Sequence, residues 1–157
     1  MGVNTTRRIL GEARKARPPT KRELKDPEKA YFYAEGKLAW GDSRRFPEGE
    51  AAISKAPGYA VDYAINVIGG RWPEAEATIA TDPVAAYSYA RDVIKGRWPE
   101  AEPAIATNSF SAYWYAKDVI GGPWPEGEAA IATDPGSAYL YARDFIKGRF
   151  RLDISFQ

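Results

Sequence analysis

Four pairs of glutamates are the first residues of this chain whose type and spacing suit chemistry: Glu48/Glu50, Glu74/Glu76, Glu100/Glu102 and Glu126/Glu128. Two carboxylates so close together fit either general acid–base work or a divalent cation. Their repetition argues against catalysis, because a catalytic site is normally unique. The chain also has no His and no Cys. That removes the commonest general base, the Ser–His and Cys–His nucleophile pairs, thiolate metal sites and disulfides. A plainer account is electrostatic. Each pair follows a Pro at what reads as a helix start, where a carboxylate complements the helix dipole by roughly a few tenths of a kcal/mol, and Arg71 and Arg97 stand close by in sequence. The chain therefore reads as non-enzymatic, with no catalytic residue, metal or cofactor expected.

The elements that carry these pairs recur. Four copies of a 26-residue unit run without a gap, at 45–70, 71–96, 97–122 and 123–148, and a partial copy at 26–44 precedes them. In each unit a Trp/Phe-Pro-Glu opening predicts a short helix of about eight residues. Asp-Pro (Asp82-Pro83, Asp134-Pro135), or Asn108-Ser109 in the third copy, then opens a longer one of about twelve. The Asp or Asn is a side-chain cap, and Pro suits the first turn because its missing N–H would have no partner there. Ala86, Tyr89, Ala90, Val93 and Ile94 give the longer helix an apolar stripe. Gly70, Gly96, Gly122 and Gly148 stand where a left-handed C-terminal cap is expected. Gly or Ala at 49, 75, 101 and 127 suggests room for a neighbouring backbone. Helices this short need stacked neighbours. The predicted fold is all-α, a right-handed α-solenoid of helix–turn–helix repeats.

Recurrence also sorts the side chains. Trp72, Trp98 and Trp124 fill one slot, with Phe46 in the first copy, and Tyr63, Tyr89, Tyr115 and Tyr141 fill another. An aromatic ladder of this kind suits either a ligand or packing between repeats. Packing is favoured, since each buried ring is worth about 5 kcal/mol at roughly 25 cal/mol per Å². A second tyrosine stripe stands four residues before a cation, in Tyr87/Arg91, Tyr113/Lys117 and Tyr139/Arg143, a spacing that lets the cation lie on the ring. The first full copy replaces both members together, by Val61 and Ile65, which suggests that this end buries the face.

Positions that do not recur mark the free face. One slot of the longer helix reads Phe32, Asp62, Ser88, Trp114 and Leu140, and the slot four residues earlier reads Glu28, Gly58, Val84, Phe110 and Gly136. Phe110 and Trp114 are expected to form an exposed aromatic pair. With Leu140, Tyr113, Lys117, Tyr139 and Arg143 they make the candidate surface for a protein partner.

The two ends differ from the array. Residues 1–25 carry eight basic and two acidic side chains, a net +6, so the remaining residues total −5. This basic arm, with Arg7, Arg8, Arg14, Lys15 and Arg17, offers nucleic acid as an alternative partner through its phosphates. Residues 149–157 alternate Phe150, Leu152, Ile154 and Phe156. They read as a capping tail, or as a contact that joins copies into a self-assembling oligomer. No apolar run approaches the roughly 18 residues of a membrane span, and the start lacks a secretory signal. A cytoplasmic protein is expected.

The run WPEAE…IATDP…AYxYARDVIKG at Trp72–Gly96, echoed at Trp98–Gly122 and Trp124–Gly148, resembles short tandem helical repeats of bacteriophage and phage-rich metagenomic proteins. The resemblance spans about two-thirds of the chain. It implies a repeat fold and a viral setting, with the host cytoplasm as location, and it transfers no catalytic residue.

Overall fold

Four of the five longer helices start where a short polar side chain takes the first free N–H groups; the one that begins at Pro57 follows Ala56 and has no side-chain cap. The computed structural model describes residues 18–39 and 45–146. In it Asp82 accepts from the N–H groups of Val84 and Ala85 at 3.1 and 2.8 Å, Asn108 from Ser111 at 2.9 Å and Asp134 from Ser137 at 2.7 Å. Asp26 caps the partial copy in the same way, accepting from Glu28 at 3.1 Å. A 3₁₀ turn, Glu23–Lys25, leads into α1 (Pro27–Ala39), followed by α2 (Pro47–Ile53), α3 (Pro57–Tyr63) and α4 (Pro73–Ile79). The order continues with α5 (Pro83–Tyr89), α6 (Glu102–Ile105), α7 (Ser109–Tyr115), α8 (Pro125–Ile131) and α9 (Pro135–Phe145). The described residues are thus all-helical, with no strand among them. The basic residues Arg7 to Arg17, the junction at 40–44 and the tail at 149–157 lie outside them.

α6 is the shortest helix, and Pro103 explains it. This Pro has no N–H to donate back to the Pro99 carbonyl and its ring crowds that turn, so only Glu102–Ile105 is α-helical.

The chain divides into two compact units, Met1–Thr81 and Asp82–Gln157. In the first, α1 packs on α2 and α3, and α3 packs on α4; in the second, α5 packs on α6 and α7, and α7 on α8 and α9. A longer helix thus meets the short helix of the following copy and the longer helix beyond it. The ring contacts follow: Tyr63 on Trp72 at 4.9 Å, Tyr89 on Trp98 at 5.1 Å and Tyr115 on Trp124 at 5.0 Å between centroids. Trp72, Trp98, Trp124, Tyr63, Tyr89, Tyr115 and Tyr141 are all at most 4% exposed. Val61 is buried too, whereas Ile65 stays 37% exposed, so the expected burial of that face holds for one of the two.

Three of the longer helices do not end as α-helices. α3, α5 and α7 run on as π-helical turns, Ala64–Ile68, Ala90–Ile94 and Ala116–Ile120. The N–H groups of Gly70, Gly96 and Gly122 reach back six residues, to the carbonyls of Ala64, Ala90 and Ala116, at 3.1–3.2 Å. This wider closure moves the left-handed residue one place earlier than the glycine pattern suggests. It falls on Gly69, Lys95 and Gly121, with φ of 71°, 58° and 72°, and not on Gly70, Gly96 or Gly122; Gly148 is outside the described residues. Lys95 is the one non-glycine among them, and a β-carbon is crowded in that conformation. Lys95→Gly is therefore expected to raise stability by about 1 kcal/mol, read as an upward shift of the urea midpoint; no shift would contradict the assignment.

Small residues in the short helices also serve a different neighbour from the one expected. A β-carbon added at Gly49 would meet the Phe46 ring at 2.7 Å and the Ala30 β-carbon at 3.1 Å; one at Gly127 would run into the Trp124 ring and meet the Ala112 β-carbon at 3.2 Å. The space is filled by the aromatic ring three residues earlier and a side chain of the preceding longer helix, not by backbone.

Candidate partner-binding groove

The short helices have no side-chain cap on Phe46, Trp72 or Trp124, and the buried tyrosines supply one from a distance. Tyr63, Tyr115 and Tyr141 each accept a hydrogen bond from the N–H of Phe46, Trp98 and Trp124, at 2.6, 2.8 and 2.7 Å. Each hydroxyl donates in turn to the second glutamate of the pair: Glu50 at 2.7 Å, Glu102 at 2.8 Å and Glu128 at 3.0 Å. Arg45, Arg71 and Arg97 hold Glu50, Glu76 and Glu102 with two parallel bonds of 2.8 Å each. The second glutamate of these pairs is therefore already engaged by the repeat itself. Among the described residues no group of three or more carboxylates is placed to hold a metal ion.

The outer tyrosine stripe forms a second set of links. Tyr87 on α5 donates to Asp118, beyond α7, at 2.6 Å and accepts from Arg91 at 2.8 Å; the Arg91 guanidinium lies 5.0 Å from its ring centroid. Tyr113 donates to Asp144 on α9 at 2.8 Å and accepts from Lys117 at 3.1 Å, and Lys117 pairs with Asp144 at 3.2 Å. In the first unit the partners trade places: Tyr31 donates to Glu35 at 3.1 Å and accepts from Asn66 at 2.9 Å. The hydroxyls of Tyr31, Tyr87 and Tyr113 thus each have one donor and one acceptor.

These links correct one assignment. Tyr113 is 1% exposed and cannot offer its ring to a partner; it is a post between α7 and α9. The other candidates are nearer the surface. Phe110 is 54% and Tyr139 67% exposed, Trp114 and Leu140 are half-buried, and Arg143 is bound to Asp144 at 2.7 Å. Phe110 and Trp114 do pair, with centroids 6.0 Å apart, and the Lys117 ammonium sits 5.1 Å from the Trp114 ring.

Together α5 and α7 enclose a groove of roughly 330 Å³. Phe110 and Trp114 line it from α7 and Val84, Tyr87 and Ser88 from α5, and Arg91 and Asp118, from the turns that follow the two helices, complete the lining. Val84 is 49% exposed. It and Ser88 belong to the same non-recurring slots as Phe110 and Trp114, so that slot pattern was the signal that could have placed them in the site. No family model matches this chain, and no curated protein or solved structure is significantly similar to it. No helix among the described residues is long and apolar enough to cross a membrane.

The charged links set the response to pH. Burial raises the Glu50 carboxyl, but hydrogen bonds from Arg45 and Tyr63 outweigh it and leave it below the ordinary range. Arg97 lowers Glu102, Arg91 lowers Asp92, and Arg143 with Tyr113 holds Asp144 well down. Carboxyls lowered by folding give stability above their unfolded values, and it is lost as pH falls through the folded ones. Burial pushes the hydroxyls of Tyr87, Tyr115 and Tyr141 up to about 12. Their contribution is present below about pH 10 and is lost as pH rises towards 12. With no His to titrate, melting temperature is expected to be level from roughly pH 5 to 9 and to fall on both sides. A step near pH 6.5 in circular dichroism melts would contradict this.

Proposed function

We propose that this chain is a non-enzymatic scaffold, a right-handed α-solenoid, that binds a protein partner through the groove between α5 and α7. The observation that carries the reading is the apolar pair across the groove: Phe110 and Val84, each about half exposed, border a concavity that is also lined by the hydrogen-bonded Tyr87, Arg91 and Asp118. Apolar rims around a few fixed polar groups suit an apolar side chain inserted by a partner, with Arg91 and Asp118 orienting its backbone. The repeated step from a longer helix to the next short and longer helices, present inside each unit, supports the solenoid. The likeness of the unit to phage repeats supports a viral setting.

Peptide-display selection against the wild-type protein tests the binding role. It is expected to enrich ligands with an apolar anchor, and Phe110→Ser/Trp114→Ser should weaken them by about thirty-fold or more, the loss of a two-kcal/mol hot spot. The half-exposed sites should leave the melting temperature within a few degrees. Ligands that bind the double variant equally well would overturn the groove as the site.

A further inference from the structure

The first unit holds a second concavity of different chemistry. It is about 540 Å³ and lies between the 3₁₀ turn Glu23–Lys25, the start of α1 and the exposed side of α2. Leu24, Pro27, Ala51 and Ala52 make an aliphatic floor. Around it stand the exposed Lys21, Lys25 and Lys55.

These lysines differ from the cations of the repeats. Arg45, Arg71, Arg91, Arg97, Lys117 and Arg143 are each held by a carboxylate. Among the described residues none of Lys21, Lys25 and Lys55 forms an ion pair, although Glu48 borders the same cleft. The 3₁₀ turn that presents two of them is itself fixed. Thr20 donates its N–H and its hydroxyl to Glu23, both at 2.8 Å, and so pins the turn. Lys21 and Lys25 also belong to the segment 1–25 whose net charge is +6.

We propose that this cleft binds an acidic peptide segment that carries an aliphatic side chain between its carboxylates. The three unpaired ammonium groups supply the charge complement, and the aliphatic floor supplies the seat for the side chain. Nucleic acid fits less well, because no aromatic ring lines the cleft to stack a base. Glu48 sets spacing: it repels a carboxylate placed on its side and so disfavours an unbroken run of acids.

The test uses the full chain and a labelled peptide in which leucines are flanked by aspartate and glutamate, followed by fluorescence anisotropy at near-physiological salt. Saturable binding is expected, weakened about ten-fold or more by Lys21→Glu/Lys25→Glu and again by the single change Lys55→Glu on the opposite wall. Leu24→Ser should remove the preference over an oligoglutamate of equal charge, and Glu48→Gln should tighten the oligoglutamate. All five sites are exposed or half-buried, and circular dichroism melts verify that the variants fold. Binding that ignores the lysine reversals overturns the proposal. So does an oligoglutamate or a single-stranded RNA that binds the unaltered protein as tightly as the leucine-bearing peptide.

Discussion

Trp124→Ala is expected to lower the unfolding free energy by about 3–5 kcal/mol. The ring is 1% exposed, lies on Tyr115 at 5.0 Å and fills the space that the missing β-carbon of Gly127 leaves. Removing it leaves a void between α7 and α8 that the surrounding helices close only in part. The indole N–H adds little, since Trp124 Nε1 is buried without a hydrogen-bond partner. Trp124→Phe should therefore be much milder than Trp124→Ala, and Phe46 already occupies the equivalent slot of the first full copy. Urea unfolding of both variants checks the pair. A cost below about 1 kcal/mol for the alanine variant would remove Trp124 from the load-carrying joint between copies.

Tyr115→Phe is the second large effect, about 2 kcal/mol, although it deletes one oxygen. The hydroxyl takes the N–H of Trp98, at the start of the third copy, and gives its proton to Glu102. Tyr115 is fully buried, so without the oxygen the Trp98 N–H faces no acceptor that water could replace. The ring stays on Trp124, which separates this loss from the packing loss above. A double-mutant cycle with Glu102→Gln should show coupling of more than about half a kcal/mol, because the same oxygen joins both groups. Additive losses would mean that Tyr115 acts through its ring alone.

How far the structure can be read from residues alone depends on which contacts repeat. The Trp and Tyr slots recur because every copy makes the same ring contact, so their burial is legible. So are the Asp and Asn caps, which act within three residues of themselves. Phe110 and Trp114 are legible for the opposite reason: positions that break the pattern are free of packing. The π-helical ends are not legible. One residue more in the last turn leaves no mark on apolar periodicity, and so the left-handed site moves to Lys95 without a glycine to announce it. Tyr113 is misleading because i,i+4 spacing places Lys117 on the ring but says nothing of Asp144, 31 residues away, which draws the hydroxyl under the next helix. Tyr115 shows the same limit. Its stripe position predicts the ring contact, while the hydrogen bond to Trp98 runs 17 residues backwards and has no local signature.

The tyrosine that joins ring to ring has a genetic consequence. Each 26-residue unit carries both halves of its joints, the Trp or Phe near its start and the Tyr near its end. An in-frame duplication or loss of one whole unit therefore leaves every Trp facing a Tyr, whatever the number of copies. A protein built this way can lengthen or shorten by whole units without creating a mismatched seam, while a change inside one unit leaves the joints of the others intact.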